Sequence, residues 1–225
     1  MANGFFQKWW SYLKDVHIET IPSQYNKQLD LWLVKGRYQL CTANAIYSYG
    51  DKYHNFRLSF EKMKLGDKDL NDVLLLGFGL GSIPFMLEKV FGKKYNYTGI
   101  EIDESVIRLA SQYVINDLSS EISLVKADAY HFVHQTSEKY DLICMDIFID
   151  NKIPEIFLSH EFLKALTKIL SKNGIVMFNH IGYTSEELAF ANAHFKKVFS
   201  IVFPKATKLV VNGNVMMFND GDVLK

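Results

Sequence analysis

Cysteine and proline are scarce in this chain: 225 residues carry two cysteines and four prolines. Cys41 and Cys144 lie far apart, and Cys144 sits inside an apolar run, where cysteine behaves as a small buried hydrophobe. A disulfide framework is excluded, and a reducing, cytoplasmic compartment is expected. An excess of either charge is missing too, since Lys+Arg and Asp+Glu both number 25 and the formal net charge is +0. That balance removes the whole-chain electrostatic reason to expect nucleic acid or an acidic membrane as a partner. The longest apolar stretch, Val73 to Leu87, is broken by Gly77, Gly79, Gly81, Ser82 and Pro84, and it falls short of the roughly 20 residues that a membrane helix needs. The N-terminal segment has Phe5, Phe6, Trp9 and Trp10 but no basic leader, long apolar centre or small-residue cleavage site. It reads as a docked helix or as a contact with a partner, a second copy in a homodimer included.

What is present is a core-forming composition, 48% hydrophobic against 22% charged, which predicts one fairly large domain. Val16 to Thr20, Leu29 to Val34 and Tyr38 to Thr42 have strand character, and Lys35-Gly36-Arg37 between the last two marks a hairpin. From Asp72 the pattern changes to short apolar runs at Val73–Leu76, Tyr95–Ile100, Ser123–Lys126, Leu142–Met145 and Ile175–Phe178. Helical periodicity fills the intervals at Ile83–Val90, Glu104–Asn116, Ser159–Leu170 and Ser185–Phe195. Thr184 with Glu187 spells a capping box, and Asn173-Gly174 reads as the stop before the fifth strand. Lys197–Phe203, Lys208–Val211 and Val215–Phe218 read as further strands, the last two joined through Asn212-Gly213-Asn214. The prediction is an α/β, doubly wound sheet, mostly parallel with an antiparallel C-terminal strand pair, plus a small N-terminal β-hairpin appendage. The interrupted pattern at Lys64 to Asn71 places the division at 1–66 for the appendage and 67–225 for the main domain.

In an open α/β sheet, ligands sit beyond the carboxyl ends of the strands. After the first main-domain strand comes Gly77-Phe78-Gly79-Leu80-Gly81-Ser82, a loop able to turn tightly. Its third glycine is Gly81 rather than residue 82, so the spacing departs from the pyrophosphate fingerprint of dinucleotide sites. After the second strand stands Glu101, placed to accept the hydroxyl protons of a ribose, with Asp103 assigned to starting the next helix. After the third come Asp128 and Ala129, where the carboxylate either meets a base amine or caps a helix. After the fourth come Asp146 and Asp150, Asp146 facing the cleft as a group that can hold or deprotonate an amine. His180, after the fifth strand, is a candidate polar contact. His131 and His134 are three apart on a helix but lack a third ligand at suitable spacing, so no metal is expected. Tyr47, Tyr49, Tyr53 and Phe56 either line a pocket or pack on the core.

These segments together resemble the spermidine synthase-like branch of the class I S-adenosylmethionine-dependent methyltransferase superfamily, a Rossmann-like fold. Val73 to Gly81 is similar to its first nucleoside-binding motif, Gly99 to Glu104 to its ribose motif, and Lys126 to Ala129 to its adenine motif. Tyr140 to Asp146, with Pro154 and Ser159-His160-Glu161-Phe162-Leu163, is the segment most characteristic of the branch. The resemblance implies S-adenosylmethionine or its decarboxylated form as cofactor, Gln39 in the hairpin as a cofactor contact, and Tyr53 on the substrate side. It also shows a departure. Enzymes of the branch that move an aminopropyl group usually have Asp in the glycine loop to pair with the cofactor amine, and Leu80 stands here. On that ground methyl transfer to a small-molecule acceptor is the expected activity. Aminopropyl transfer, with Asp146 and Asp150 orienting a diamine, is the alternative, and a non-catalytic nucleoside-binding relative is a third. If Leu80 is the obstacle, Leu80→Asp shifts preference toward the decarboxylated ligand.

Overall fold

A computed structural model describes residues 2–63, 65 and 69–224, without the side chains of 2–5. The expected boundary at 66/67 and the Phe5 side chain therefore lie outside the described residues. Helix α1 (Ala2–Trp10) leads into β1 (Val16–Ile21), β2 (Leu29–Val34), β3 (Arg37–Cys41) and β4 (Ile46–Ser48), which pair antiparallel in the order β1-β2-β3-β4. The expected hairpin is thus the centre of a four-stranded sheet, flanked on both sides. Val34 pairs with Arg37, and Lys35 and Gly36 have φ of 48° and 75°. Two successive positive φ values make a type I′ turn, whose twist matches that of the strands it joins.

Helix α2 (His54–Lys62) crosses to the large sheet: β5 (Asp72–Leu76), β6 (Asn96–Glu101), β7 (Glu121–Lys126), β8 (Tyr140–Met145), β9 (Leu170–Ile181), β10 (Thr207–Val211) and β11 (Asn214–Phe218). Their order is β10-β11-β9-β8-β5-β6-β7, with β7, β6, β5, β8 and β9 parallel and the final pair antiparallel. This is the mostly parallel, doubly wound arrangement that the sequence predicts. The crossovers carry α3 (Ser82–Lys89), α4 (Glu104–Tyr113), α5 (Ala129–Gln135), α6 (His160–Ile169) and α7 (Ser185–His194). Val73, Leu74, Leu75 and Leu76 are all buried, as expected of a strand covered on both faces. Alternate residues serve two cores: Val73 and Leu75 join the cluster containing Leu29, Leu31, Leu40 and Phe56, whereas Leu74 and Leu76 pack with Phe162, Leu166 and Phe178. The first cluster is continuous with the N-terminal sheet, so that sheet is held against one face of the main domain.

Two local expectations fail. Lys197–Phe203 is not a strand: Phe195–Phe199 forms a π turn and Ser200–Val202 continues as helix. Phe195, Phe199 and Phe203 recur every fourth residue, with neighbouring rings 6.1 and 4.9 Å apart and Phe199 fully buried. Burying one helical stripe outweighs the β preference of Val198, Ile201 and Val202. Asn173-Gly174 does not precede the fifth strand but lies inside β9, in a bulge between Leu170, paired with Tyr140, and Ile175, paired with Leu142. Helix α6 stops at Ile169 instead. Among the described residues, no helix is long and apolar enough to cross a membrane, and Cys41 and Cys144 are free thiols.

Candidate active site

Strand order reverses between β5 and β8, because the chain runs from β5 to β6 on one side and returns through β8 on the other. A crevice beyond the strand ends is expected at such a switch point. A cavity of about 1000 Å³ lies there, lined by Gly77 and Gly79 after β5, Glu101 ending β6, Asp128 and Ala129 after β7, and Asp146 after β8. Its other wall comes from the N-terminal part, through Tyr47, Tyr49 and Tyr53. Gly77 is required for closure of this junction. Its φ is 84°, and a Cβ there would sit 2.3 Å from the Asp146 carbonyl oxygen, a distance no side chain tolerates.

Glu101 is held by backbone: Ile102 N and Asp103 N donate to Oε1 at 3.0 and 3.1 Å, and Gly79 N donates to Oε2 at 3.2 Å. Burial raises its pKa, opposed by these hydrogen bonds. Asp103 caps α4 by accepting from Ser105 N at 2.9 Å, the helix role expected of it. Asp128 is both a cap and a wall residue. Its Oδ1 accepts from Tyr130 N and His131 N at 2.8 and 3.1 Å, and Oδ2 bonds to no described residue. His131 Nδ1 lies 3.6 Å from Asp128, and His134 Nδ1 is 2.8 Å from the Tyr130 carbonyl.

Asp146 is a strongly perturbed carboxyl of the cavity. Burial pushes its carboxyl up to about 6, partly offset by hydrogen bonds from Asn179 and Tyr53. Both donors reach the same oxygen: Asn179 Nδ2 lies 2.8 Å and Tyr53 Oη 3.3 Å from Oδ1, while Oδ2 bonds to no described residue. The Tyr53 hydroxyl is held well above its ordinary pKa by burial and by the Asp146 charge, so it remains a donor. A carboxylate with one oxygen anchored and the other free can accept a proton at the free one.

The remaining expected residues fall elsewhere. Asp150 lines the cavity, but both of its oxygens are engaged by the N-terminal part, Thr42 Oγ1 at 2.8 Å on Oδ1 and Asn44 Nδ2 at 2.6 Å on Oδ2. Those bonds, Asn44 foremost, lower its pKa. It acts as a clasp between two parts of the chain instead of a free substrate group. Gln39, in β3, pairs across from Trp32 and is outside the cavity wall, to which the neighbouring segment contributes residues 44–47 and 49. Gly81 caps α3 at φ 74° with the Phe78 ring beside it, and it too lies off the cavity. His180 faces the opposite side of β9 from Asn179, buried near Phe178, His194 and Phe190. Strand alternation allows only one of the adjacent pair to reach the cleft, and it is the asparagine. Phe56 is fully buried in the core. Leu80 is buried among the core residues, away from the cavity. An Asp at this position would bury an unpaired carboxylate, so the buried Leu80 side chain lends no support to Leu80→Asp as a cofactor contact. The sequence offered no signal for Asn179, Asn214 or Tyr183 as wall residues, because amides and tyrosines in and around strands are common, and Glu187 read only as part of a capping box.

A mostly parallel, doubly wound sheet with a switch-point cavity, an acid ending β6 and another after β8 defines the class I S-adenosylmethionine methyltransferase-like fold. A spermidine synthase solved in complex with the transition-state analogue AdoDATO superposes with a TM-score of 0.69 at 16% identity, covering 90% of this chain and 73% of that one. A family model described as spermine/spermidine synthase domain matches residues 62–218. The chain belongs to the spermine/spermidine synthase family. A probable polyamine aminopropyl transferase of Bifidobacterium longum is 31% identical over 109 residues, 48% of this chain and 24% of that protein. An N-terminal histidine N-methyltransferase of Emericella nidulans is 27% identical over 139 residues, 60% of this chain and 24% of that protein. The chain thus matches about a quarter of the length of these two relatives.

Proposed function

We propose that this chain is an aminopropyltransferase that uses decarboxylated S-adenosylmethionine and a small amine acceptor. This reverses the order suggested by Leu80. What supports it is the family match, the predominance of polyamine aminopropyltransferases among the relatives, and above all the one-sided anchoring of Asp146. Leu80 loses its weight as a counter-observation because its side chain does not face the cavity.

The cavity residues fit an adenosyl ligand. Glu101 Oε2 takes a single backbone N–H, which leaves it free to accept from a ribose hydroxyl, and Asp128 Oδ2 is open to a base amine. When bound, the sulfonium supplies an activated carbon: one C–N bond forms to the acceptor as one C–S bond breaks, and methylthioadenosine leaves. Asp146 is ionised at neutral pH, since its carboxyl titrates at about 6. In that form Oδ2 orients the acceptor nitrogen and takes the proton that this nitrogen must lose, while Oδ1 stays on Asn179 and Tyr53.

Methyl transfer is the second reading, favoured by the N-methyltransferase among the relatives. The released nucleoside separates the two, because aminopropyl transfer yields methylthioadenosine and methyl transfer yields S-adenosylhomocysteine. Incubation with 1,4-diaminobutane and each cofactor form, followed by mass spectrometry, is expected to give methylthioadenosine and an aminopropylated diamine from the decarboxylated form. Asp146→Asn is expected to slow that reaction about 10²- to 10⁴-fold. S-adenosylhomocysteine as the sole product would establish methyl transfer instead.

A further inference from the structure

Behind Asp146 lies a second amide. Asn179, in β9, donates from Nδ2 to Asp146 Oδ1 at 2.8 Å, and its own Oδ1 accepts from Asn214 Nδ2 at 2.9 Å. Asn214 opens β11, directly paired with Ile181 of β9, and both asparagines are buried. A side-chain amide can present either end to a neighbour. Its nitrogen end stabilises a carboxylate, whereas its oxygen end repels a carboxylate and favours the protonated acid. In the observed arrangement Asn214 donates to Asn179 Oδ1, which engages the oxygen end away from Asp146 and leaves the nitrogen end facing the acid.

We propose that Asn214 and Asn179 form a two-amide relay that positions the Asp146 carboxylate and holds it in the proton-accepting state, with Asn214 acting entirely through Asn179. This rests on Asp146 being the group that receives the acceptor's proton, but its first test does not. The other titratable groups near Asp146 are Tyr53 at the start of α2, hydrogen bonded to it, and Cys144 two residues earlier in β8. Further round the cavity stand Lys52, His54, Glu101, Tyr183 and Glu187. No lysine or arginine forms an ion pair with Asp146 among the described residues. The anionic form is therefore held by neutral donors, of which Asn179 is the shorter contact.

The test is to follow the Asp146 carboxyl by carbon-13 NMR in aspartate-labelled protein, assigning its signal through Asp146→Asn. The wild-type midpoint is expected at about 6. Asn179→Leu should raise it by about one pH unit or more through loss of the donor. Asn214→Leu, which touches no atom of Asp146, should raise it by a smaller amount as the Asn179 amide becomes free to turn. A midpoint unchanged in folded Asn214→Leu, judged by far-ultraviolet circular dichroism, overturns the relay. Should Asn179→Leu fail to fold, Asn214→Leu and Asn179→Ser carry the same comparison. In the transfer assay, the acidic limb of the kcat/KM profile should move with the NMR midpoint while nucleoside affinity stays constant. Titration shifts without any detectable transfer would leave the relay standing and refute the proposed activity.

Discussion

A carboxylate buried without a cation beside it is ionised at the expense of the fold. For Asp146 the displacement from an ordinary 3.8 to about 6 corresponds to roughly 3 kcal/mol. Because the folded-state value is raised, this stability is present below about pH 4 and is lost as the pH rises through about 6. His194 behaves in the opposite sense. Burial lowers its pKa to about 4; Nε2 lies 3.1 Å from the Leu158 carbonyl, and Nδ1 is buried without a partner among the described residues. A lowered value gives stability that is complete above about 6.5 and lost as the pH falls toward 4. Between pH 4 and 6 the two slopes oppose each other. Asp146→Asn is therefore expected to raise Tm above pH 6, to leave it nearly unchanged at pH 4, and to steepen the remaining acid sensitivity. Thermal melts across that range check this, and a Tm lowered at pH 8 would contradict it. The residue scale is also where the sequence was least legible. Asn179 and His180 are neighbours, and only strand alternation decides which enters the cleft; a titratable ring draws attention while the amide does the positioning. Glu101, Asp128 and Asp146 were legible because each follows a recognisable strand. Asp150 was not, since its partners Thr42 and Asn44 lie far away in sequence, and the positions of Gln39 and Gly81 off the cavity wall follow from strand pairing and helix capping that the motifs leave open.

Among the elements, the segment after β8 carries the most consequence. Ile149 and Lys152 exchange two backbone hydrogen bonds, and Asp150 sits between them at φ 53°. Its backbone N–H also donates to Tyr47 Oη at 2.5 Å, so three contacts tie this turn to residues 42–47. A left-handed aspartate is tolerated because its short side chain is fully engaged. Asp150→Gly keeps the backbone conformation and removes the two side-chain bonds, a loss of about 1–3 kcal/mol. Faster amide exchange over 147–153 and nucleoside binding weakened by about tenfold are expected, read by hydrogen exchange and calorimetry. Unchanged exchange would show that the clasp is idle. Elements were otherwise well marked in the sequence, as the capping box at Thr184 and the Asn-Gly hairpin at residues 212–213 illustrate. The failures share a cause: at Phe195–Phe203 and at Asn173-Gly174, long-range packing decides between local alternatives that composition leaves open.

At the scale of the whole molecule, two parts of the chain share one core and one cavity. The large sheet supplies Gly77, Glu101, Asp128 and Asp146, and the N-terminal part supplies Tyr47, Tyr53 and the anchors of Asp150. The parallel sheet could be read from the repeated alternation of apolar run and helix, and its switch point follows from topology. How the N-terminal sheet covers that point could not, because a hairpin's own sequence does not reveal what it packs against. Everything chemical depends on Glu101 and Asp146 bordering a single nucleoside. Isothermal titration with methylthioadenosine tests this most directly. Saturable binding is predicted for the wild-type protein and for Asp146→Asn, weakened at least about tenfold in Glu101→Ala. Absence of heat with millimolar ligand, or equal affinity in Glu101→Ala, would contradict it.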